Sequence, residues 1–250
     1  MGKMKKIYII WLREIKKYLR SKSRIIGSLG MPLLFLLVLG FGLNSFLNIG
    51  NGNYVDFIFP GIIAMTILFT SMFSGISVIW DKQFGFLKEM LVAPVSRTKI
   101  MIGKTLGGAT TAIFQGFLIF FISLFFGIKI TSIYGFFIAL IFMGLIAISF
   151  TALGISFGSR MNDMQAFPLV MNFVIMPMFF LSGALFPIDK VPGIIKIISL
   201  LNPLTYGVDA LRYGFTGIAQ MPIMTDFIIL TLFSAITITI GAVLFNKTSI

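Results

Sequence analysis

The chain of 250 residues contains neither cysteine nor histidine. Their absence excludes thiolate nucleophiles, imidazole acid–base chemistry, disulfides and any zinc site built on Cys or His. Acidic residues are scarce as well, eight Asp and Glu against twenty Lys and Arg, which leaves a net charge of +12. Those acids stand singly near the ends of apolar runs, so a membrane-embedded enzyme would lack paired carboxylates for acid–base work. Charged residues make up 11% of the chain, less than half of the about 25% usual in soluble domains. A water-soluble globule is excluded.

What the chain does have is six long apolar runs, Ile25–Leu47, Asp56–Ile79, Thr105–Gly127, Ile133–Gly158, Phe167–Phe186 and Ile223–Phe245. Each supplies about the twenty residues that an α-helix needs to cross ~30 Å of hydrocarbon. Their deep interiors carry no charged side chain, each of which would cost ~2.5–3.5 kcal/mol at a span's centre. Sixteen of the twenty cations fall in alternate gaps: nine from Lys3 to Arg24, five from Lys82 to Lys104, then Arg160 and Lys247. Their bias toward one side assigns both termini to the cytoplasm. Attraction to anionic lipid, ~1 kcal/mol per cation near the surface, accounts for the basicity, and no nucleic-acid partner is expected. The expected fold is an all-α membrane protein of six transmembrane helices in one domain over residues 1–250.

Three segments outside the runs are distinctive. Residues 5–24 form an amphipathic helix: Ile7, Tyr8, Trp11, Leu12, Ile15, Tyr18 and Leu19 share one side at 100° per residue, with Ile9 and Ile10 as exceptions. Such a helix lies at the membrane interface, either as a topology anchor or also as a platform for a cytoplasmic partner. In the cytoplasmic loop 80–104, a short helix Phe86–Val92 ends before Pro94, and Phe84, Leu87, Met90 and Leu91 give it apolar surface. A helix this short is marginal in water and needs headgroups or a soluble protein against it. Gly103-Lys104-Thr105 imitates the tail of a phosphate-binding loop, but Thr98 stands where its first glycine belongs, so this chain is not expected to bind ATP. On the outer side, in 187–222, Pro187, Pro192, Asn202 and Pro203 cut the chain into pieces too short to span, one carrying Asp209 and Arg212. These read as short re-entrant helices or as a cap on the surface.

Within the runs, Gly103/Gly107 and Gly154/Gly158 have the spacing that permits close helix approach, either inside the bundle or at a dimer seam. Pro168 and Pro177 are expected to bend the fifth run. Gln115 and Asn172 are the notable polar groups at membrane depth, either satisfied by neighbouring helices or lining a path.

Two stretches carry a family likeness. DKQFGFLKEMLVAPVSRTKIMIGK (Asp81–Lys104) resembles the cytoplasmic loop of type-2 ATP-binding-cassette (ABC) exporter permeases, with Gly85, Met90-Leu91 and Pro94-Val95-Ser96-Arg97 in the matching places. LSGALFPIDKVPGIIKIISLLNPLTYGVDALR (Leu181–Arg212) is similar to the outer segment of the same family, its drug-export (daunorubicin-resistance-like) branch in particular. The resemblance implies a half-transporter in a prokaryotic plasma membrane that pairs with a second permease copy or a paralogue. It also implies a soluble ATPase partner, holding ATP and Mg, docked on a coupling helix of Phe84, Gly85, Leu87, Glu89, Met90 and Leu91, with Pro94 and Arg97 fixing its exit. In the outer hairpin it implies roles for Pro187, Pro192, Asn202, Pro203, Tyr206, Asp209 and Arg212. The chain departs from the family at Asp81-Lys82-Gln83, where members often have Glu-Arg-Glu.

The implied function is export of a hydrophobic or amphiphilic substrate. The competing class, an ATP-independent secondary transporter or channel, commonly places ionisable residues at mid-membrane, and the deep interiors of the runs contain no Asp, Glu, Lys or Arg.

Overall fold

The structure is a computed structural model that describes residues 3–42, 53–92, 95–128 and 131–247. The links between the first and second runs and between the third and fourth, which Asn and Gly at 48–53 and the brief polar stretch 129–132 mark as short turns, fall largely outside these residues. No strand occurs among them. Ten helices follow one another: α1 (Lys3–Arg20), α2 (Lys22–Phe41), α3 (Tyr54–Gln83), α4 (Phe86–Val92), α5 (Arg97–Phe125), α6 (Ile133–Arg160), α7 (Met164–Phe180), α8 (Gly193–Leu201), α9 (Pro203–Thr216) and α10 (Ile223–Asn246). Five of them (α2, α3, α5, α6 and α10) are long and apolar enough to span a membrane, and the bent pair α8–α9 makes a possible sixth.

Helix α3 occupies the centre, with every residue from Ile58 to Leu68 buried. It touches α6 along a glycine crossing: Gly75 lies against the backbone of Gly154 and Gly158, and Gly154 against the carbonyl of Met72. A Cβ at any of these positions would collide with backbone, so the glycines are what let the two helices meet. Gly103 and Gly107 do the same for α1. An added Cβ would come within 2.8 Å of Ile10 Cβ and 2.6 Å of Glu14 Cβ, respectively. Both glycine pairs therefore serve packing inside the chain.

Helix α1 accordingly follows α5 from Gly103 to Gln115, about 18 Å at 1.5 Å per residue. Its apolar side divides in two. Ile10 and Tyr18 are buried on α5, while Tyr8 and Leu19 are about half exposed. Ile10, an exception on the helical wheel, thus belongs to the packed face. The helix also stops at Arg20, not 24, because Ser21 leaves helical geometry before α2 begins.

The fifth run is the one that differs most from expectation. Helix α7 ends at Phe180, six residues early, because Gly183 at φ +72° turns the chain. Pro177 has no N–H to donate, and the π-helical turn Met171–Ile175 widens the helix just before it. The loop that follows is sunk into the bundle: Ala184 packs on Gly61, and the Tyr54 hydroxyl donates to the Leu185 carbonyl at 3.0 Å.

Helices α8 and α9 meet at 88° and differ in surroundings. Ile194, Ile197 and Leu201 of α8 are exposed, whereas α9 is buried from Leu204 to Leu211. Gly214 of α9 meets Gly135 near the start of α6, and Gly207 meets Ile146, about 16 Å deeper at helical rise. That is roughly half of a ~30 Å hydrocarbon core, and by length and composition the bent pair α8–α9 is a broken span or a re-entrant hairpin.

Candidate functional site

The loop after α3 is shaped by Gly85, which at φ +79° adopts the left-handed turn that ends a helix and starts α4 in a new direction. The result is a two-faced helix. Leu87 is 1% exposed, packed in a small cluster with Ile10, Val78, Ile100, Met101 and Phe245; Met90 and Val95 are partly buried against it. Phe84 and Phe86 point outward, 63% and 49% exposed, and Glu89 is exposed beside them. The sequence expectation put Leu87 on the free apolar surface. The structure turns it inward, where Ile10, Val78, Ile100, Met101 and Phe245 already form an apolar cluster. Arg97 donates to the carbonyl of Asn246 at 2.8 Å, tying the loop's exit to the end of α10. Pro94 and the side chain of Leu91 lie outside the described residues.

Beneath this loop is a cluster that sequence reasoning missed. Asp81 and Lys104, 1% and 2% exposed, form a direct ion pair. Lys104 also reaches Glu14 at 3.2 Å. Arg13 donates to both oxygens of Asp81, at 3.3 and 3.2 Å, and to Glu14 at 3.1 Å. Lys17 stands 3.8 Å from Asp81. Burial costs the Arg13 charge, but hydrogen bonds to and proximity with Asp81 and Glu14 outweigh it, and its pKa is raised. Five charges thus bind α1, α3 and α5 together. Two sequence signals point this way: a lone acid in a basic helix (Glu14) and an acid closing an apolar span (Asp81) each need a partner.

The polar groups at membrane depth separate clearly. Gln115 is fully buried, bonded through Oε1 to the Tyr18 hydroxyl and donating to the Ile25 carbonyl at 3.2 Å. Asn172 is exposed on the π-turn of α7, beside Phe173 at 78% exposure.

In the outer hairpin, Pro187 and Pro192 precede short helical segments and Pro203 opens α9. Asn202 caps α9 by accepting from the Leu204 N–H at 3.1 Å and donates to the Met178 carbonyl at 2.6 Å. Tyr206 donates to the Leu200 carbonyl at 2.7 Å, holding the bend. Asp209 accepts from the N–H groups of Gln220 and Met221, and Arg212 donates to the Gly183 carbonyl at 2.8 Å while stacking 4.0 Å over Phe57. These side chains hold loops and do not converge on one cavity. Asp226, fully buried in the first turn of α10, finds no hydrogen-bond partner for either oxygen among the described residues.

Comparison with known proteins adds to this geometry. Residues 5–216 match the family described as ABC-2 type transporter. The chain is 30% identical to the inner membrane transport permease YadH of Escherichia coli (strain K12) over 227 residues, 90% of this chain and 88% of that one. It is 28% identical to ycf38 of Cyanophora paradoxa over 221 residues, 85% and 75% of the two chains. To nodulation protein J of Rhizobium leguminosarum bv. viciae it is 26% identical over 216 residues, 83% and 81%. Permeases of this family work with a separate ABC ATPase, on which ATP binds. The chain therefore belongs to the ABC-2 type transporter family, as a multi-pass membrane permease and a transport subunit without a catalytic domain.

Proposed function

We propose that the chain is the permease half of an ATP-driven exporter of the drug-export branch, moving a hydrophobic or amphiphilic substrate out of the cytoplasm. It sits in a prokaryotic plasma membrane with both termini inside, paired with a second copy or a paralogue. The name inner membrane transport permease, borne by YadH, and the one-sided cations support the placement.

The observation that carries the reading is the two-faced α4. Leu87 and Met90 anchor it in the chain, while Phe84, Phe86 and Glu89 present an apolar and acidic tip to the cytoplasm. Gly85 sets its angle and Arg97 fixes the exit, and the family resemblance assigns Leu91 and Pro94 to the same docking loop. Closure of two ATPases around their nucleotides pushes on this tip, and the anchor passes the push to α1, α3 and α5. The hairpin forms the outer end of the path, with Asn172 on its wall.

The test is gentle purification from native membranes. A near-stoichiometric ATPase accompanies the wild type and is lost in Phe84→Asp with Phe86→Asp, whose surface positions leave the bundle folded. Association at wild-type strength in that variant overturns the assignment. Orientation is checked in the cysteine-free chain: Lys196→Cys reacts with an impermeant thiol reagent from outside, and Glu89→Cys only after permeabilisation. The reverse pattern refutes it.

A further inference from the structure

A cavity of about 590 Å³ opens beside the ion cluster, between the α1–α2 break and one stripe of α3. That volume lies in the range of sites for drug-sized ligands. Its two walls differ in chemistry. One carries Lys17 and Arg24; the other carries Phe73, Ile76 and Trp80, spaced to share one face of α3. Phe73 and Trp80 are 40% and 45% exposed, open to a guest.

The cations are at most partly neutralised where they stand. Arg24 has no carboxylate within ion-pair distance among the described residues, and its guanidinium lies 5.9 Å from the Tyr18 ring. Lys17 reaches only Asp81, at 3.8 Å, and Asp81 is already held more closely by Arg13 and Lys104. Ser28 and Ser77 on the same walls give their protons to the carbonyls of Ile25 and Ser74; Ser21 and Thr70 also line the cavity, and the charge that an acidic head would meet comes from the two cations. A cationic guest would meet uncompensated positive charge here, with Glu14 and Asp81 both occupied.

We propose that this groove loads the transported substrate and that it takes a drug-sized amphiphile with an acidic head, carboxylate or phosphate. The head lies between Lys17 and Arg24 and the apolar body against Phe73, Ile76 and Trp80. The proposal rests on the export reading above, which makes this end of the bundle cytoplasmic.

Trp80 reports on the site directly. With Trp11→Phe it is the sole tryptophan, since the chain has two. The permease alone, in phosphatidylcholine nanodiscs, is titrated with bromododecyl phosphate, bromododecyl trimethylammonium and brominated phosphatidylglycerol. The expected result is saturable quenching of Trp80 by the phosphate amphiphile, at least tenfold weaker in Arg24→Gln and in Lys17→Gln. Arg24→Glu turns the preference toward the ammonium compound. Equal binding of the two amphiphiles, or unchanged affinity in both Gln variants, overturns the proposal. Displacement of the phosphate amphiphile by phosphatidylglycerol overturns it too, by making the groove a seat for ordinary acidic lipid. No ATPase enters this assay, so its failure leaves the docking test standing, and failure of the docking test is seen independently of it.

Discussion

At the basic end of the bundle, Arg13, Lys17 and Lys104 share the carboxylates of Glu14 and Asp81. At the hairpin end, Arg212 and Asp209 stand 3.7 Å apart and give their closer bonds to backbone: the Gly183 carbonyl and the N–H groups of Gln220 and Met221. Side chains bonded to side chains on other helices make those helices depend on one another. Side chains bonded to backbone fix the path of a loop. The first arrangement ties three helices into one unit, and the second keeps an irregular buried chain ordered, where unsatisfied peptide groups are costly.

The comparison breaks most readily at Lys104. Lys104→Met leaves Asp81 buried with its closest partner gone, and removing one member of a buried pair costs about 3–5 kcal/mol. Thermal unfolding in detergent should show it, and Asp81→Asn added to Lys104→Met should recover part of the loss. Additive losses would mean that the pair does not couple α3 to α5. Arg212→Leu should cost about 1–3 kcal/mol, the range for stranding a buried hydrogen-bond partner. Its effect should be local, with faster amide exchange in residues 181–190 and unchanged exchange in α1 and α5; spread to the basic end would erase the distinction drawn here. The smallest effect belongs to Lys196→Ala. Its bond to Asp189 at 2.9 Å joins side chains 45% and 66% exposed, and exposed pairs contribute about 0.2–1 kcal/mol. A larger loss of melting stability would show that α8 is pinned by charge and not by its apolar face.

Much of the bundle was legible because hydropathy is a local property: five apolar runs became long helices, although the one expected from Thr105 begins at Arg97, inside the expected loop. The fifth run was misread at its end, since Leu181 to Phe186 is as apolar as a span and only the left-handed Gly183 takes it out of the helix. The loop proposed for docking stood out by its short apolar helix, but which side of that helix faces out depends on the cluster around Leu87, built from residues as distant as Ile10 and Phe245. The ion cluster was illegible for the same reason. Glu14, Asp81 and Lys104 meet only after three helices pack, and the sequence shows that Glu14 and Asp81 each need a partner but not which one.

Helix α3 touches both ends without interruption. Its 30 residues make a rod of about 45 Å, with Asp81 in the ion cluster at one tip and Tyr54 bonded to Leu185 at the other. Along the way its backbone is pressed against α6 at Gly75, leaving little compliance in which a push could dissipate. On the coupling proposed above, a stroke applied under α4 reaches the hairpin end through one continuous helix, as through a piston and not through a spring.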